Sequence, residues 1–438
     1  MAGSLHLPRM RPLSSRKSAI LSVLDVGTSK VLCLIARLDP IEAASGSRGR
    51  THGCRILGIG HQRSRGMKAG QVVDMEEAET AVRLAVDAAE RMAGVQVDNV
   101  IVCSSGGRIG SQHFQAKVAV GDRSVSEADI HRVLEATCAH TSRDGRAVLH
   151  SLPTSFSVDD AQNIRDPKGM IGDQLGAHLH VSSCDAAAAR NLGLAIERCH
   201  LNVEAFVASP YASALAVLAD DEAEIGATII DLGGGTTSVS AFSGGALVHL
   251  DAVAVGGNHV TLDVARGLNV RLSAAERLKT LYGSAISSPS DDRETIAVEQ
   301  VGDEPSQPNH IPRAQLVRII RPRVEEILEL VRDRLRAQGR PTHPGSRIVL
   351  TGGACQLTGL PETARRILGG QVRIGRPVGV QGLPESGKSP SFAAAVGLLV
   401  YPQMAALEHF EPSRERVGVA VGGDGYLARV GRWLKESF

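Results

Sequence analysis

The chain has 438 residues, of which 43% are hydrophobic, and a formal net charge of +1. A chain of this length exceeds what one hydrophobic core usually organises, so we expect two lobes or domains. The balanced charge excludes a global attraction to nucleic acid, and the seven cysteines lack the C-x-x-C spacing of a zinc site. We find no run of the roughly 18 apolar residues that a membrane-spanning helix needs. These totals favour a soluble protein of the reduced cytoplasm.

The N-terminal region predicts an arm followed by three strands and a helix. Residues 1–19 are rich in basic residues and lack the apolar core of a signal peptide, so we expect a disordered arm. The first lobe is predicted to comprise residues 20–94 and 181–222. Its opening strands are predicted in AILSVLDVGTSK, KVLCLIARL and CRILGIGHQ, and its first helix in MEEAETAVRLAVDAAERMAG.

Residues 95–180 predict an α+β subdomain inserted in the first lobe. Strand-like segments surround one helix, SEADIHRVLEATCAH, for which Ser126 is the expected N-cap. Residues 181–222 then predict helices that return the chain to the first lobe.

The order of three strands and a helix returns in the second half of the chain. The strands are predicted in GATIIDLGGGTTS, TSVSAFSGG and ALVHLDAVAVGG, and the helix in NHVTLDVARGL. Such an echo indicates two duplicated α/β halves with a cleft between them. Residues 223–402 form the predicted second lobe, in which the polar stretch 284–312 is expected to be a loop around one short strand.

Two kinds of glycine-rich segment compete as the nucleotide site. Residues 382–389, GLPESGKS, fit the phosphate-loop pattern G-x-x-x-x-G-K-[ST]. A working loop of that kind also needs a buried strand before it and a later strand that ends in an acid, and too little chain follows here for the rest of that sheet. We therefore interpret the segment as an ordinary turn before the helix SFAAAVGLLVY.

The competing site is a pair of strand-turn-strand hairpins, each headed by an aspartate, Asp25 in the first and Asp231 in the second. Glycines let backbone N–H groups approach phosphate oxygens, and threonine hydroxyls add donors. Because two carboxylates would repel phosphates, the pair makes sense with a hydrated Mg²⁺ between carboxylates and phosphates. A strand that ends in Gly352-Gly353-Ala354 adds a small-residue surface on which a flat base can lie.

The C-terminus predicts a flexible linker over residues 403–424 and an amphipathic helix over 425–438. One face of that helix is apolar and contains Tyr426, Leu427, Val430, Trp433, Leu434 and Phe438. Basic residues flank it, namely Arg429, Arg432 and Lys435. This pattern favours a helix lying in the plane of an anionic membrane. The alternative is a terminal helix that docks on the protein's own core.

The motifs Asp-x-Gly-Thr, Asp-Leu-Gly-Gly-Gly-Thr-Thr and strand-Thr-Gly-Gly resemble the superfamily of actin, Hsp70 and sugar kinases. Within it, residues 20–402 resemble the family of the bacterial cell division protein FtsA. The stretches that carry this resemblance are GMKAGQVVDMEEAETAVRLAVDAAERMAG, VDNVIVCSSGGRIG, AVAVGGNHVTLDVARGL, AAERLKTLYG and SFAAAVGLLVY. The resemblance implies a two-lobed, actin-like α/β fold (duplicated, ribonuclease H-like) with a subdomain inserted in the first lobe and an outer subdomain at about 260–330 in the second.

The resemblance also implies an ATP site. The residues implied to contact the nucleotide are Asp25, Gly27, Thr28, Ser29, Asp231, Gly233, Gly234, Gly235, Thr236, Thr237, Gly256, Gly257, Asn258, Glu276, Lys279, Gly352, Gly353 and Ala354. Asp25 and Asp231 would hold Mg²⁺ through water. Glu276 and Lys279, implied to reach the ribose and base, also fit a surface i,i+3 ion pair.

The implied function is that of an ATP-binding protein which polymerises at the cytoplasmic face of the inner membrane, at the mid-cell septum. Its implied partners are the C-terminal peptide of the tubulin-like division protein FtsZ, further copies of itself, anionic lipids and later division proteins. Ser209 stands where related ATPases carry a water-orienting acid, so hydrolysis is expected to be slow at most, and we assign no catalytic residue. The alternative function is a small-molecule kinase of the same superfamily.

Overall fold

The computed structural model describes residues 7–14, 16–41, 50–139, 145–302 and 309–410. The predicted helix at 425–438, together with most of the predicted linker, lies outside the described residues.

The first lobe opens as predicted, with three antiparallel strands and a helix. Its elements up to the insert are β1 (Ala19–Val26), β2 (Lys30–Pro40), β3 (His52–Arg63), β4 (Met67–Lys68), β5 (Gln71–Val72), α1 (Met75–Ala93) and β6 (Asn99–Ser104). The side chain of Asp74 caps α1 by accepting a hydrogen bond from the N–H of Glu77, and Gly94 ends the helix in the left-handed conformation. β6 then pairs in parallel with β1, so residues 99–104 complete the first sheet.

The inserted subdomain begins after β6, later than the predicted residue 95. It contains β7 (Gly110–Ser124), α2 (Glu127–Cys138), β8 (Arg146–Val158), β9 (Ala161–Ile164) and β10 (Ile171–Asp185). The predicted N-cap Ser126 is confirmed, because its side chain and that of Asp129 form a reciprocal capping box. α2 packs on one face of the insert's strands over a small core of its own.

The chain then returns to the first lobe and continues into the second. The returning elements are α3 (Ala186–Glu197), β11 (Asn202–Ala208), α4 (Ser209–Val217) and α5 (Asp220–Ile225). The second lobe contains β12 (Ala227–Leu232), β13 (Thr237–Ser243), β14 (Ala246–Val253), α6 (Gly257–Leu268), α7 (Leu272–Tyr282), β15 (Thr295–Val298), β16 (Asn309–Pro312), α8 (Arg313–Ala337), β17 (Arg347–Thr351), α9 (Leu360–Leu368) and β18 (Gln371–Ile374). β15 and β16 pair with each other, so the stretch expected to hold one short strand contains two.

Two large sheets result, and their registers confirm the duplication. The first has the order β11-β6-β1-β2-β3-β19, where β19 is Val380–Gln381. The second has the order β18-β17-β12-β13-β14-β7-β10-β8-β9. β1 and β12 occupy equivalent places, since each pairs antiparallel with the next strand and parallel with a later one. The insert's strands join the second lobe's sheet where Asp251 of β14 pairs with Gly110 of β7.

The last helix, α10 (Ala393–Met404), packs in the first lobe. We predicted residues up to 402 to belong to the second lobe, but α10 contributes to the same core as β1, β2 and α4. β19 likewise pairs with β3. The chain therefore crosses back before its end, a step that the order of elements in the sequence does not indicate.

Both ends of the described chain lie against the first lobe. Leu7, Met10 and Leu13 pack on its core, so the prediction of a disordered arm is wrong for this part of residues 1–19. The start of the predicted linker is also folded, because α10 runs to Met404 and the N–H of His409 donates to the carbonyl of Ser151 at 2.8 Å.

One helical stretch of the described chain is long and apolar enough to cross a membrane. The window Pro390–Leu407 has a mean hydropathy of 1.4, so our statement that no such run exists is wrong. Buried positions make up 72% of this window, and α10 packs against α4 inside the first core. The apolar character of this helix is accounted for by its place in that core.

Candidate nucleotide site

The two aspartate-headed hairpins have the same backbone turn. In the first, the N–H of Gly27 donates to the carbonyl of Lys30 at 2.9 Å, and in the second the N–H of Gly233 donates to the carbonyl of Thr236 at 2.9 Å. In each hairpin the aspartate is the penultimate residue of the strand before the turn. The duplicated strands therefore present the Asp25 and Asp231 hairpins in equivalent settings on either side of the cleft.

The two turns fit together because one carries side chains and the other does not. A Cβ added to Gly235 would lie 2.4 Å from Oγ1 of Thr28, and a Cβ added to Gly234 would lie 1.8 Å from Oγ of Ser29. Gly234 and Gly235 thus leave the space that the side chains of the first turn occupy. The close fit makes any side chain at 235 incompatible with this arrangement.

The start of α6 completes this phosphate-binding candidate. The N–H groups of Gly257 and Asn258 donate to the carbonyls of Gly233 and Gly234 at 2.9 and 2.8 Å. Oγ of Ser29 donates to Oδ1 of Asn258 at 3.1 Å, which links the first hairpin to the second lobe. The positive end of the α6 dipole therefore lies beside both turns.

The two carboxylates are buried and their neighbours differ. Burial raises the pKa of Asp25 to about 6, against a lowering effect of Lys30 and a further rise from Asp231. Burial also raises the pKa of Asp231, while hydroxyl hydrogen bonds lower it, since Ser213 and Ser209 donate to its Oδ2 at 2.5 and 3.3 Å. Two buried acids with raised pKa values are a setting in which a bound cation would be favourable.

The residues present fit a hydrated Mg²⁺. Among the residues that the structure describes, no group of three or more His, Cys, Asp or Glu side chains is arranged to hold a metal ion. A site built from Asp25 and Asp231 alone suits Mg²⁺, because this ion keeps several waters and is commonly held by one or two carboxylates together with phosphates.

The strand β17 leads into Gly352–Ala354, the segment predicted to offer a surface for a base. Gly352 has φ +84°, and a Cβ there would lie 2.3 Å from Oδ1 of Asp231. Both the backbone conformation and the lack of space require glycine at this position. Residues Gly353–Gln356 continue as a 3₁₀ turn beside the cleft.

Glu276 and Lys279 form the expected i,i+3 ion pair and also face the cleft. Nζ of Lys279 lies 2.7 Å from Oε2 of Glu276 and donates to Thr261 of α6 and to the carbonyl of Gly257 at 2.8 and 3.2 Å. The pair therefore fastens α7 to the start of α6. The two interpretations made from the sequence are compatible, since the ion pair itself lines the cleft.

One cavity of about 500 Å³ brings almost all of these residues together. Sixteen of the eighteen predicted contact residues line it, all except Thr237 and Gly256. The other two lie beside the cavity: the Thr237 hydroxyl donates to the carbonyl of Val255 at 2.8 Å, and a Cβ added to Gly256 would lie 2.5 Å from the carbonyl oxygen of Gly233. An apolar wall of the cavity contains Val260, Val324, Ile327, Leu357 and Leu360.

Sequence reasoning missed several lining residues, of which Lys30 is the most important. Its ammonium lies 4.5 Å from the ring centroid of Phe392 and donates to the carbonyl of Ser391. Its position directly after the first turn is the feature of the sequence that could have predicted this contact. Ser209, noted only for lacking a carboxylate, lines the cavity as well.

The competing phosphate-loop pattern does not form such a loop. Lys388 is half-exposed, pairs with Glu385 in a 3₁₀ turn, and does not line the cavity. The strand before the pattern is β19, a two-residue strand at the edge of the sheet. A phosphate loop, in contrast, follows a buried strand. Pro390 and Ser391, just beyond the pattern, do line the cavity.

Comparison with known proteins identifies relatives along the whole chain. The family model described as "Cell division protein FtsA" matches residues 228–397, and the model "SHS2 domain inserted in FTSA" matches residues 106–183. The cell division protein FtsA of Rhizobium meliloti (strain 1021) is 52% identical over 100% of this chain and 99% of its own length. That of Escherichia coli (strain K12) is 34% identical over 95% of this chain and 97% of its own length.

Solved structures are similar in fold at low identity. A chain of the PilM-PilN type IV pilus biogenesis complex has a TM-score of 0.59 at 16% identity and covers 87% of this chain and 98% of its own. MreB5 of Spiroplasma citri, in a structure bound to ADP, has a TM-score of 0.51 at 15% identity and covers 89% and 98%. The fold is thus actin-like with an inserted SHS2 domain, and by its full-length relatives the chain belongs to the family of the cell division protein FtsA.

Proposed function

We propose that this chain binds Mg-ATP between its two hairpins and polymerises at the cytoplasmic face of the inner membrane, at the mid-cell septum. Its C-terminal residues attach it to the membrane, so that the tubulin-like protein FtsZ bound to it is anchored there. It also recruits later division proteins. Membership of a cell division family supports the general role. The ATP site, the membrane anchor and the FtsZ contact are the specific parts of the proposal.

The proposal of ATP binding rests on one observation. Asp25, Asp231 and the two glycine-bearing turns line the same cavity, which also has an apolar wall. The turns offer backbone N–H groups for phosphates, and the start of α6 adds the positive end of a helix dipole. The apolar wall and Gly352–Ala354 offer a surface for a base. When bound, Mg²⁺ would neutralise phosphate charge beside the two carboxylates. The nucleotide-bound MreB structures lend support through a shared fold.

Titration with Mg-ATP tests this part. We expect Asp231→Ala to lower the affinity by at least about 30-fold, since a charge-assisted contact contributes about 2 to 3 kcal/mol. Asp98→Ala, at an exposed aspartate before β6, is the matched control. Unchanged affinity in Asp231→Ala would overturn the assignment of the cleft.

Slow or absent ATP hydrolysis is part of the proposal. Ser209 and Ser213 both donate to Asp231 and bring hydroxyls, not carboxylates, to this edge of the cleft. A hydroxyl cannot act as the carboxylate base that would activate a water. Bound ATP then serves to hold the two lobes together and to support contacts between subunits.

The membrane anchor rests on the sequence of residues 425–438, where an apolar stripe with the chain's single tryptophan is flanked by basic residues. A helix this short would bind lipid weakly alone, and polymerisation would add avidity. Co-sedimentation of the full chain with anionic vesicles, with and without Mg-ATP, tests it. We expect deletion of 424–438 to abolish sedimentation and Trp433→Glu to weaken it, with Ser437→Ala as the control. Sedimentation that survives the deletion would refute the anchor.

The proposed FtsZ contact lies in the outer subdomain at about 260–330. The large apolar side chains of that region which are exposed in the described chain are Leu272, Leu281, Tyr282, Ile286, Val301 and Leu330. Exposed apolar groups of this kind favour a protein contact. Leu281→Glu should weaken binding of the FtsZ C-terminal peptide, whereas Leu194→Glu, at an exposed leucine of α3 in the first lobe, should leave it unchanged.

A further inference from the structure

His150 joins three parts of the chain that are distant in sequence. It lies on β8 of the insert, and its side chain is fully buried. Its Nε2 accepts a hydrogen bond of 2.9 Å from the backbone N–H of Ala208, and its Nδ1 lies 2.7 Å from Oε1 of Glu408. Because a backbone amide only donates, Nε2 carries a lone pair, and the ring proton is on Nδ1, facing the carboxylate.

On one side, His150 is tied to the candidate nucleotide site. Ala208 ends β11 and directly precedes α4, whose Ser209 and Ser213 donate to Oδ2 of Asp231. All nine residues of α4 are buried, so the helix cannot shift without displacing its neighbours. A movement of Asp231 therefore reaches the amide that His150 holds.

On the other side, His150 is tied to the last described residues. The Glu408 side chain is 3% exposed and accepts a second hydrogen bond from the hydroxyl of Tyr401 at 3.2 Å. The carbonyl of the next residue, His409, accepts from Sγ of Cys138 at 3.3 Å, and the Arg9 guanidinium lies 4.0 Å from the ring centroid of Phe410. Residues 408–410 are thus fastened to the insert and to the N-terminal arm.

We infer that His150 is a positioning residue that couples the position of Asp231 to the fastening of residues 408–410 on the insert. The trigger rests on the proposed function, namely Mg-ATP at Asp231. The predicted membrane helix at 425–438 follows these residues in the chain. The coupling therefore links the occupied cleft to the residues that precede the membrane anchor.

The chemistry of the contact explains why the two ends respond together. Each bond of His150 lies in the interior, where a buried polar group that loses its partner is costly. The ring cannot release Ala208 without leaving a buried N–H unpaired, and it cannot release Glu408 without leaving a buried carboxylate with one partner fewer. Coupling is reciprocal, so an effect of Mg-ATP on residues 408–410 implies an equal effect of those residues on Mg-ATP affinity.

A double-mutant cycle in the nucleotide-free full chain tests the coupling directly. The variants are Ser213→Ala, Glu408→Gln and both together, and the readout is amide hydrogen exchange in the peptide that contains residues 405–410. We expect the effect of the double variant to differ from the product of the single effects by about threefold or more. A double-variant effect that equals the product of the two single effects within error would overturn the inference.

The exposed pair His131–Glu135 on α2 of the same insert supplies a matched control. Glu135→Gln combined with Ser213→Ala should give a simple product of effects. If Glu408→Gln does not fold, Tyr401→Phe removes a single hydroxyl from the same carboxylate and takes its place in the cycle. His150→Gln keeps one acceptor and one donor, and we expect it to retain part of the coupling that His150→Leu abolishes.

Titration with Mg-ATP separates this inference from the proposed function. We expect Mg-ATP to slow exchange in residues 405–410 about fivefold and Glu408→Gln to weaken Mg-ATP binding, since coupling between two sites acts in both directions. A coupled cycle in a chain that does not bind Mg-ATP would refute the nucleotide proposal and support the linkage through His150. Normal Mg-ATP binding with an uncoupled cycle would refute the linkage alone.

Discussion

The two hairpins of the cleft share a backbone and differ in how their aspartates are supported. The Lys30 ammonium lowers the pKa of both aspartates and interacts more strongly with Asp25, whereas two hydroxyls, from Ser213 and Ser209, donate to Asp231. The first turn carries the side chains of Thr28 and Ser29, and the second turn is glycine throughout the facing stretch. The first hairpin thus contributes side chains and a positive charge to the cleft. The second contributes backbone groups and leaves the space that those side chains fill.

This difference shows that duplicated elements keep their local geometry more strictly than their chemistry. The turn hydrogen bonds are equal in length because the strand geometry sets them. The neighbours of each aspartate come from different elements, β2 for Asp25 and α4 for Asp231, and these are free to diverge. The two carboxylates are therefore expected to respond differently to the same substitution.

The largest expected effect concerns nucleotide affinity. Asp231→Asn should lower Mg-ATP affinity by about 100-fold and Asp25→Asn by about tenfold, because Lys30 stays available to the phosphates when Asp25 loses its charge. Isothermal titration calorimetry of both variants measures the difference. Equal losses would show that the two hairpins are chemically equivalent, contrary to the contrast drawn from their neighbours.

The next effect concerns the fit of the two turns. In Gly235→Ala, the new Cβ would lie within 2.8 Å of three atoms of Thr28, so the hairpins must separate. We expect a cost of about 1 to 3 kcal/mol in the free energy of unfolding, together with weaker Mg-ATP binding. Urea denaturation measures the first quantity. Gly110→Ala is the control, since its nearest contact would be 3.8 Å, and an equal cost in both variants would contradict the close fit.

A pH-dependent effect follows from the pKa of Asp25, which burial raises to about 6. Its ionised form is disfavoured in the folded state, so the nucleotide-free protein gains stability from this group as pH falls through 6. In EDTA at pH 7.5, Asp25→Asn should raise the free energy of unfolding by up to about 3 kcal/mol. The gain should vanish near pH 4, and a gain that is constant from pH 7.5 to pH 4 would argue against this cause.

The hairpins and most of the cleft could be predicted from the sequence because their signals are local. An aspartate at the end of a strand, followed by glycine and threonine, sets both the turn and the direction of the carboxylate. Thr237 was included among the predicted contacts because of the same local signal. It belongs to the same run of letters, but alternation along β13 turns its hydroxyl toward Val255.

The features that could not be predicted depend on long-range packing. The pattern of α10 predicts a helix but not the lobe that receives it, since a helix that is apolar on almost every side fits any core. Lys30 ends the segment AILSVLDVGTSK, yet its interaction with Phe392 depends on contacts across more than half of the chain. His150 gave no signal, because its partners Ala208 and Glu408 are unremarkable in sequence.

The return of α10 to the first lobe has a consequence for synthesis on the ribosome. The chain begins this lobe with β1 and finishes its core only with Ala393–Met404, whereas the second lobe's core ends at Leu368 and the partly buried Val372. The half that is started first is therefore completed last. Until then, the surface that α10 covers on β1, β2 and α4 stays open in the nascent chain, so the order of lobe completion is the reverse of the order of translation.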